Sequence, residues 1–525
     1  TGSIQRSEDK VRVRTQLVDV ANDRYLWAAS FDRDLTATNI FAIQTEIAEN
    51  VARSLLASLS PAESTRIAEV PTDNFEVYQA LLRGHIALRR GTLASFHEAI
   101  ACYQRALSIN PEFPQAYLAM ARAYIAAVEE LSFPEPDVRE KIEEFARAAI
   151  ELDPGLGLAY NYLAVVRREN GQLDEAEKLF QRALQLEPND PRILHGMGLN
   201  LRLQGRAREA IPYYDRAIQV DPLSPAWQES RGSLLRDLGR FRQAEQQYRD
   251  TLDLDPAYVN AHWGLGTLYW SMGQPGKARV WFENAVRRAP QSDVFMGWLA
   301  LMYLELEDYA NARDTIDAAL RLADVASHND AVLAEELYRL YVGLEVSDLP
   351  DGRQFTSRYW YGGVVDLPPR TLMDGRYDAA INELEALYPG LAKGSITIDG
   401  SNFRNAIYLA LALRETGEIR RAHALLDAVE NFLPRVPRLG LHGYWVADAQ
   451  ILAIRGDLSG SLEHLELAID EGWRNLWQFY LLHDPTLRPL STRDELDALV
   501  RRLRDGRGSS RAEPVTASRT VVLPY

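Results

Sequence analysis

Through most of the chain apolar residues return at steps of three and four, the pattern of amphipathic helices, whereas only about the first 35 residues alternate with a period of two. Val11, Val13, Thr15 and Leu17 share one face of a predicted strand, and Val18 and Val20 fall on the other. A second strand is read in "RYLWAASF" (Arg24 to Phe31), with "DVANDR" (Asp19 to Arg24) as the turn. Ile40, Ile43, Ile47, Val51 and Leu55 then line one side of a helix. A lone hairpin is marginal in water. These two strands are therefore expected to be the last hairpin of a sheet whose other strands lie outside the sequence, with a helix on one face and a free edge.

The helical part repeats. "INP" ends at Pro111, "LDP" at Pro154, "LEP" at Pro188, "VDP" at Pro222, "LDP" at Pro256 and "RAP" at Pro290, and from Pro154 onward the step is 34 residues each time. The longer first step is accounted for by "LSFPEPDVR" (Leu131 to Arg139), a Pro-containing insertion at a turn. Gly171, Gly205, Gly239 and Gly273 stand where a first helix must end, and glycine enters the left-handed conformation of a helix C-cap without steric cost. Ala176, Ala210, Ala244 and Ala278 follow, then Phe180, Tyr214, Tyr248 and Phe282, then Ala183, Ala217 and Ala285, with Thr251 the one departure. Small residues let two helices approach and the aromatic fills the groove between hairpins. Each unit is thus a helix, a Gly turn, a second helix and a Pro turn.

In "AHWGLGTLYWSMGQPGKARVWFENAVRRAP" this pattern resembles the tetratricopeptide repeat. The resemblance implies a mainly α chain, a right-handed superhelical solenoid with a small partial α/β segment at its N-terminus. Regular repeats are expected over residues 74–325, the seventh around Leu299, Tyr303, Ala312 and Ala319. An irregular joint is expected at 326–400. Within it Tyr359, Trp360 and Tyr361 either cover the junction of two solenoid blocks or line a binding loop. Irregular repeats with turn residues Gly417 and Gly456 and a capping helix fill 401–505, and 506–525 reads as a disordered tail or a short ligand segment. Residues 1–70 resemble the end of the TolB-like/FlgO-like α/β domain, and "DEGWRNLWQFYLLHDPTLRPLSTRDELDALVRRL" is similar to the C-terminal segment of the same group. That domain precedes tetratricopeptide repeats in bacterial class III adenylate cyclases, CadC-type winged-helix regulators and some Ser/Thr kinases. The resemblance implies the sensory or scaffolding part of such a signalling protein, with its α/β domain beginning upstream.

Charge and chemistry narrow the function. A formal charge of −16 argues against a general nucleic-acid or anionic-membrane surface, which needs clustered Lys and Arg. The single Cys102 forms no intramolecular disulfide and reads as a packed residue, and apolar runs such as "IYLALAL" are too short to span a bilayer. Cytoplasm and periplasm both stay open. His195 and His262 occupy different repeat positions, no HExxH or GxSxG occurs, and "GLG" at Gly264–Gly266 lacks a preceding strand and a P-loop lysine. The chain is read as non-catalytic, with no metal and no cofactor.

The binding expectation rests on the first helices, whose inner face lines the groove in this family. Arg168, Arg202 and Arg236 recur 34 apart, and Trp270 takes the same place one repeat on. With Asn161, His195 and Trp263 they form the candidate peptide-binding groove. A ladder of guanidinium groups suits an acidic peptide or protein ligand, whereas the structural alternative pairs these arginines with Glu169 and Asp237. The carboxylate clamp of chaperone-binding relatives falls on Asn161, Val165, Gly196, Ala226 and Ser230, where only Asn161 matches. A second hypothesis is a self-assembling subunit, joined through the solenoid ends and the strand edge.

Overall fold

The computed structural model describes residues 2–7, 9–19, 24–54, 72, 74–90, 92–129, 137–322, 329–346, 367–392, 396–400, 402–435 and 446–505. The chain divides into two compact units, Thr1–Val166 and Arg167–Tyr525.

The first unit opens with three strands where the alternation predicted two. β1 (Gly2–Ser7), β2 (Lys10–Asp19) and β3 (Arg24–Asp34) form an antiparallel sheet in the order β1-β2-β3. β1 escaped prediction because "GSIQRS" carries one apolar residue, Ile4, which pairs with Val13. The expected apolar face is real: Val11 and Phe31 are buried with Ile43 of α1 (Ala37–Ser54), and Val13, Trp27, Ala29 and Ile47 pack around them. All six residues of β1 are exposed. The predicted turn around Val20 and the helix position Leu55 lie outside the described residues.

Two helical hairpins follow, α2 (Phe75–Leu88) with α3 (Leu93–Ile109) and α4 (Pro114–Glu129) with α5 (Val138–Leu152). The side chain of Asn74 accepts the Glu76 and Val77 amides at the start of α2, and Thr92 with Ser95 forms a capping box on α3, so free donors at both N-termini are satisfied. Leu131 to Pro136 of the predicted insertion lie outside the described residues. The division between the units falls within α6 (Gly157–Glu169).

In the second unit α7 (Leu173–Leu186), α8 (Pro191–Leu203), α9 (Ala207–Val220), α10 (Pro225–Asp237), α11 (Phe241–Leu254), α12 (Val259–Ser271), α13 (Pro275–Arg288), α14 (Asp293–Glu305) and α15 (Tyr309–Leu322) continue the hairpin pattern. Gly171, Gly205, Gly239 and Gly273 adopt φ of 74°, 77°, 69° and 67°, the left-handed C-caps that their spacing predicts. Phe180, Tyr214, Tyr248 and Phe282 are buried, and the last three rings each lie over a glycine of their own first helix, Gly198, Gly232 and Gly266. A Cβ on Gly266 would come within 2.8 Å of Phe282, so the "GLG" is a packing device, and Gly264 meets the Tyr248 ring of the preceding repeat. Thr251 replaces alanine at no polar cost, because its buried hydroxyl donates to the Gln247 carbonyl at 2.8 Å. Neighbouring repeats are also pinned laterally: the Tyr269 hydroxyl donates to Glu245 at 2.8 Å, and Glu245 holds Arg249 at 2.8 Å.

After α16 (Asn329–Val342) comes a C-terminal block made of α17 (Arg370–Met373), α18 (Tyr377–Leu387), α19 (Phe403–Glu415), α20 (Ile419–Phe432), α21 (Val446–Arg455), α22 (Leu458–Asp470), α23 (Trp477–Leu482) and α24 (Asp494–Asp505). Gly417 and Gly456 make its two predicted turns, at φ 89° and 91°. Its first part has its own core, including Leu372, Phe403, Leu411, Leu426 and Ile454. Its last part shares one core with the repeats: Trp473, Trp477 and Phe479 join Trp270, Trp298 and Leu304.

Candidate protein-interaction face

The inner positions of the first helices are not an open ladder. Arg168 Nε meets Glu169 Oε1 at 3.1 Å, with both side chains almost fully buried. Asp237 bridges the other two arginines, binding Arg202 through Oδ2 and Arg236 through Oδ1 at 3.0 Å. Arg236, at 0% exposure, also donates to Thr267 Oγ1 at 2.6 Å. The expectation of guanidinium forks presented to a ligand is corrected by this pairing. The carboxylates at the neighbouring positions, Glu169 and Asp237, neutralise the arginines from within, since a buried cation without an anion would cost several kcal/mol (roughly 3–5).

The remaining predicted groove residues are also largely internal. Trp263 and Trp270 are each 2% exposed and meet Trp298 edge-on at 5.9 and 5.5 Å, while Phe282 stacks on the same ring at 5.6 Å. Trp298 is thus a hub of aromatic packing and not a groove wall. His195 sits between Tyr214 and Trp227, with Ser230 Oγ 3.2 Å from its Nε2. Burial first, then Arg168 and Arg202, push the His195 pKa down to about 3, so the ring is neutral and acts as a spacer. Asn161, in the first unit, is buried, and its Oδ1 has no hydrogen-bond partner among the described residues. Among the first helices exposure survives at the first turn of α8, where Arg192 pairs with Asp190 at 2.6 Å and keeps 45% of its side chain in solvent. Tyr359, Trp360 and Tyr361 lie outside the described residues.

The C-terminal block lies along the turns that end the first helices. The Gly400 amide donates to the Leu203 carbonyl at 2.7 Å, and Gly205 faces Phe432 and Arg435. Gly273 lies so close to the Gly472 carbonyl that a Cβ would come within 2.6 Å of it. At the seventh repeat the Leu476 amide donates to Glu305 Oε1 at 2.6 Å and Gln478 Nε2 to Glu307 Oε1 at 3.1 Å. Within the block the buried Asp484 gathers four donors: Thr486 N at 2.8 Å and Thr486 Oγ1 at 2.6 Å on one oxygen, Gln450 Nε2 at 2.8 Å and the Tyr408 hydroxyl at 3.4 Å on the other. Burial nevertheless pushes its pKa up to about 6. None of these contacts was signalled by the repeat pattern, because the repeat period says nothing about which positions of the block they join.

Among the described residues no group of three or more His, Cys, Asp or Glu is placed to hold a metal ion, and no helix is long and apolar enough to cross a membrane.

Known proteins share this architecture in part. Tetratricopeptide-repeat family models match residues 155–223, 195–258, 230–293 and 265–327, and a TPR repeat model matches 95–126. "Putative adenylate cyclase 3" of Rhizobium meliloti (strain 1021) is 28% identical over 177 residues, a stretch that spans 34% of this chain and 30% of that relative. Among solved structures, YrrB, described as a TPR protein with an unusual peptide-binding site, is 22% identical and aligns over 36% of this chain and 92% of its own, with a TM-score of 0.26. TTC0263 of Thermus thermophilus, described as a thermophilic TPR protein, is 19% identical and aligns over 35% and 94%, with a TM-score of 0.31. Residues 95–126 and 155–327 are therefore tetratricopeptide repeats, carried in a mainly α chain behind a small antiparallel sheet.

Proposed function

We propose that the chain is a non-catalytic protein-interaction module, the regulatory or scaffolding part of a bacterial signalling protein, whose partner engages the inner face of the solenoid. The observation that carries this reading is the run of tetratricopeptide repeats, since an array of packed hairpins offers a long rigid surface. Its signalling context is supported by the likeness to a protein described as an adenylate cyclase, and in that setting the chain would be the cyclase's regulatory portion. The partner is a protein or peptide engaged from the side of the first turns, around Arg192. A preference for acidic ligands has lost its basis, because Arg168, Arg202 and Arg236 already carry internal carboxylates. A photo-crosslinking residue at Arg192 is expected to give a discrete protein adduct in a bacterial host, and one at the outer, exposed Val280 is not. Adducts only from Val280, or none at either place, would remove the inner-face reading.

A second reading, self-assembly, is favoured by the outer edge of β1, which pairs with no further strand among the described residues, has no proline and no bulge, and exposes Ile4 at 74%. It predicts a mass that rises with concentration in light scattering, and a constant monomer mass would exclude it.

A further inference from the structure

The contact between the seventh repeat and the C-terminal block is built differently from the turns of the repeats before it. There the left-handed residue after the first helix is glycine: Gly171, Gly205, Gly239 and Gly273. After α14 the equivalent residue, 34 beyond Gly273, is Glu307, held at φ 56°. That conformation is disfavoured for any residue with a Cβ. Across the contact Leu476, a bulky residue, is held at φ 50°. Two of the three non-glycine residues with positive φ in the described chain thus belong to one seam. Strained backbone persists where its surroundings over-determine it, and it collects at clamps and switches.

The surroundings here are specific. Glu305, 7% exposed, accepts the Leu476 amide at 2.6 Å. Glu307 Oε1 accepts from Gln478 at 3.1 Å and lies 4.0 Å from Arg504 Nε. Leu476 and Trp477, each 3% exposed, enter the core that contains Trp270 and Trp298. A glycine at 307 would make the turn without strain but would leave Gln478 without this carboxylate. The glutamate is therefore accounted for by what it holds, not by the turn it sits in.

We propose that Glu305 and Glu307 form a latch that holds the chain's own segment Trp473–Gln478 on the turn edge of the repeats, so that the anchorage of this segment depends on the Glu307–Gln478 contact. The latch does not depend on where a partner binds, and its test uses no partner.

Hydrogen exchange of the full chain, compared with the Glu307→Gly and Gln478→Ala variants, decides it. Amides of α23 and α24 are expected to exchange about ten-fold faster in both variants. Those of α14 and α15 are expected to be unchanged in Gln478→Ala and unchanged or slower in Glu307→Gly, because glycine suits the left-handed turn. Unaltered exchange of α23 and α24 in both variants would overturn the latch. So would equal acceleration of α14 and α15 in Glu307→Gly, which would mean that Glu307 only supports its own repeat. Failure of the Arg192 cross-link with faster α23 and α24 exchange would remove the partner reading and leave the latch standing.

Discussion

The regular repeats from α7 to α15 and the block from α17 to α24 are both stacks of helical hairpins with left-handed glycine turns, yet they are held by different means. In the repeats the rings of Tyr214, Tyr248 and Phe282 sit over glycines of their own first helices, and the buried arginines Arg202 and Arg236 are settled by Asp237 of the same or the next repeat. In the block the decisive contacts are remote in sequence: Asp484 draws on Gln450 and Tyr408, Arg404 donates to the Tyr480 hydroxyl at 2.6 Å, and Leu476 reaches back to Glu305. Nearest-neighbour stacking needs only a repeated pattern, whereas docking one stack on another needs unique partners. The turn edge of the repeats is consequently a product of both regions.

The contrast gives predictions at graded depth. The largest effect is expected from Asp237→Ala, which strips the carboxylate shared by two buried arginines and should cost about 3–5 kcal/mol in denaturant titration. A loss below about 1 kcal/mol would mean that the arginines are solvated and the ladder open.

In the block, Asp484 tests burial against hydrogen bonding. Its folded pKa, about 6, stands above the ordinary value of 3.8, so the folded state holds the proton more tightly. Its contribution to stability is present below about pH 4 and is lost as pH rises through about 6. Asp484→Asn, which resembles the protonated form, should therefore gain on the parent by about 2–3 kcal/mol between pH 4 and pH 8. A pH-independent difference between the two would show that the four donors fully offset burial.

Glycines separate the regions at smaller magnitude. Gly266→Ala drives a methyl group into the Phe282 ring and should cost about 1–3 kcal/mol by overpacking. Gly417→Ala meets nothing within 4 Å and should lose about 1–2 kcal/mol through its φ of 89° alone. Thermal unfolding of the two variants distinguishes steric from conformational cost, and equal tolerance at both positions would erase the distinction. The smallest effect is expected at Arg502, whose pairing with Asp470 is about half exposed, and Arg502→Ala should change stability by less than about 1 kcal/mol.

Legibility in the sequence followed the same divide. The hairpins, their glycine turns and their buried alanines and aromatics were readable because a period exposes them. Thr251 broke the pattern without breaking the packing. β1 was missed because one isoleucine in six residues makes no alternation. The arginine spacing was real, but spacing does not report burial. The clue available was the acid directly following Arg168 and Arg236, which favoured the internal pairing that the structure contains. Glu307 gave itself away only as a missing glycine, and its partner Gln478 lies 171 residues onward, beyond the reach of any local pattern.

That separation has a consequence for synthesis. Repeats made of local contacts fold as they emerge, but the apolar surface around Trp270 and Trp298 waits for Trp473 and Trp477 to leave the ribosome. At about 5–20 residues per second the delay is on the order of 10–35 seconds. During that interval the nascent chain presents this aromatic surface to the translation machinery and its chaperones before its own segment around Trp473 arrives to cover it.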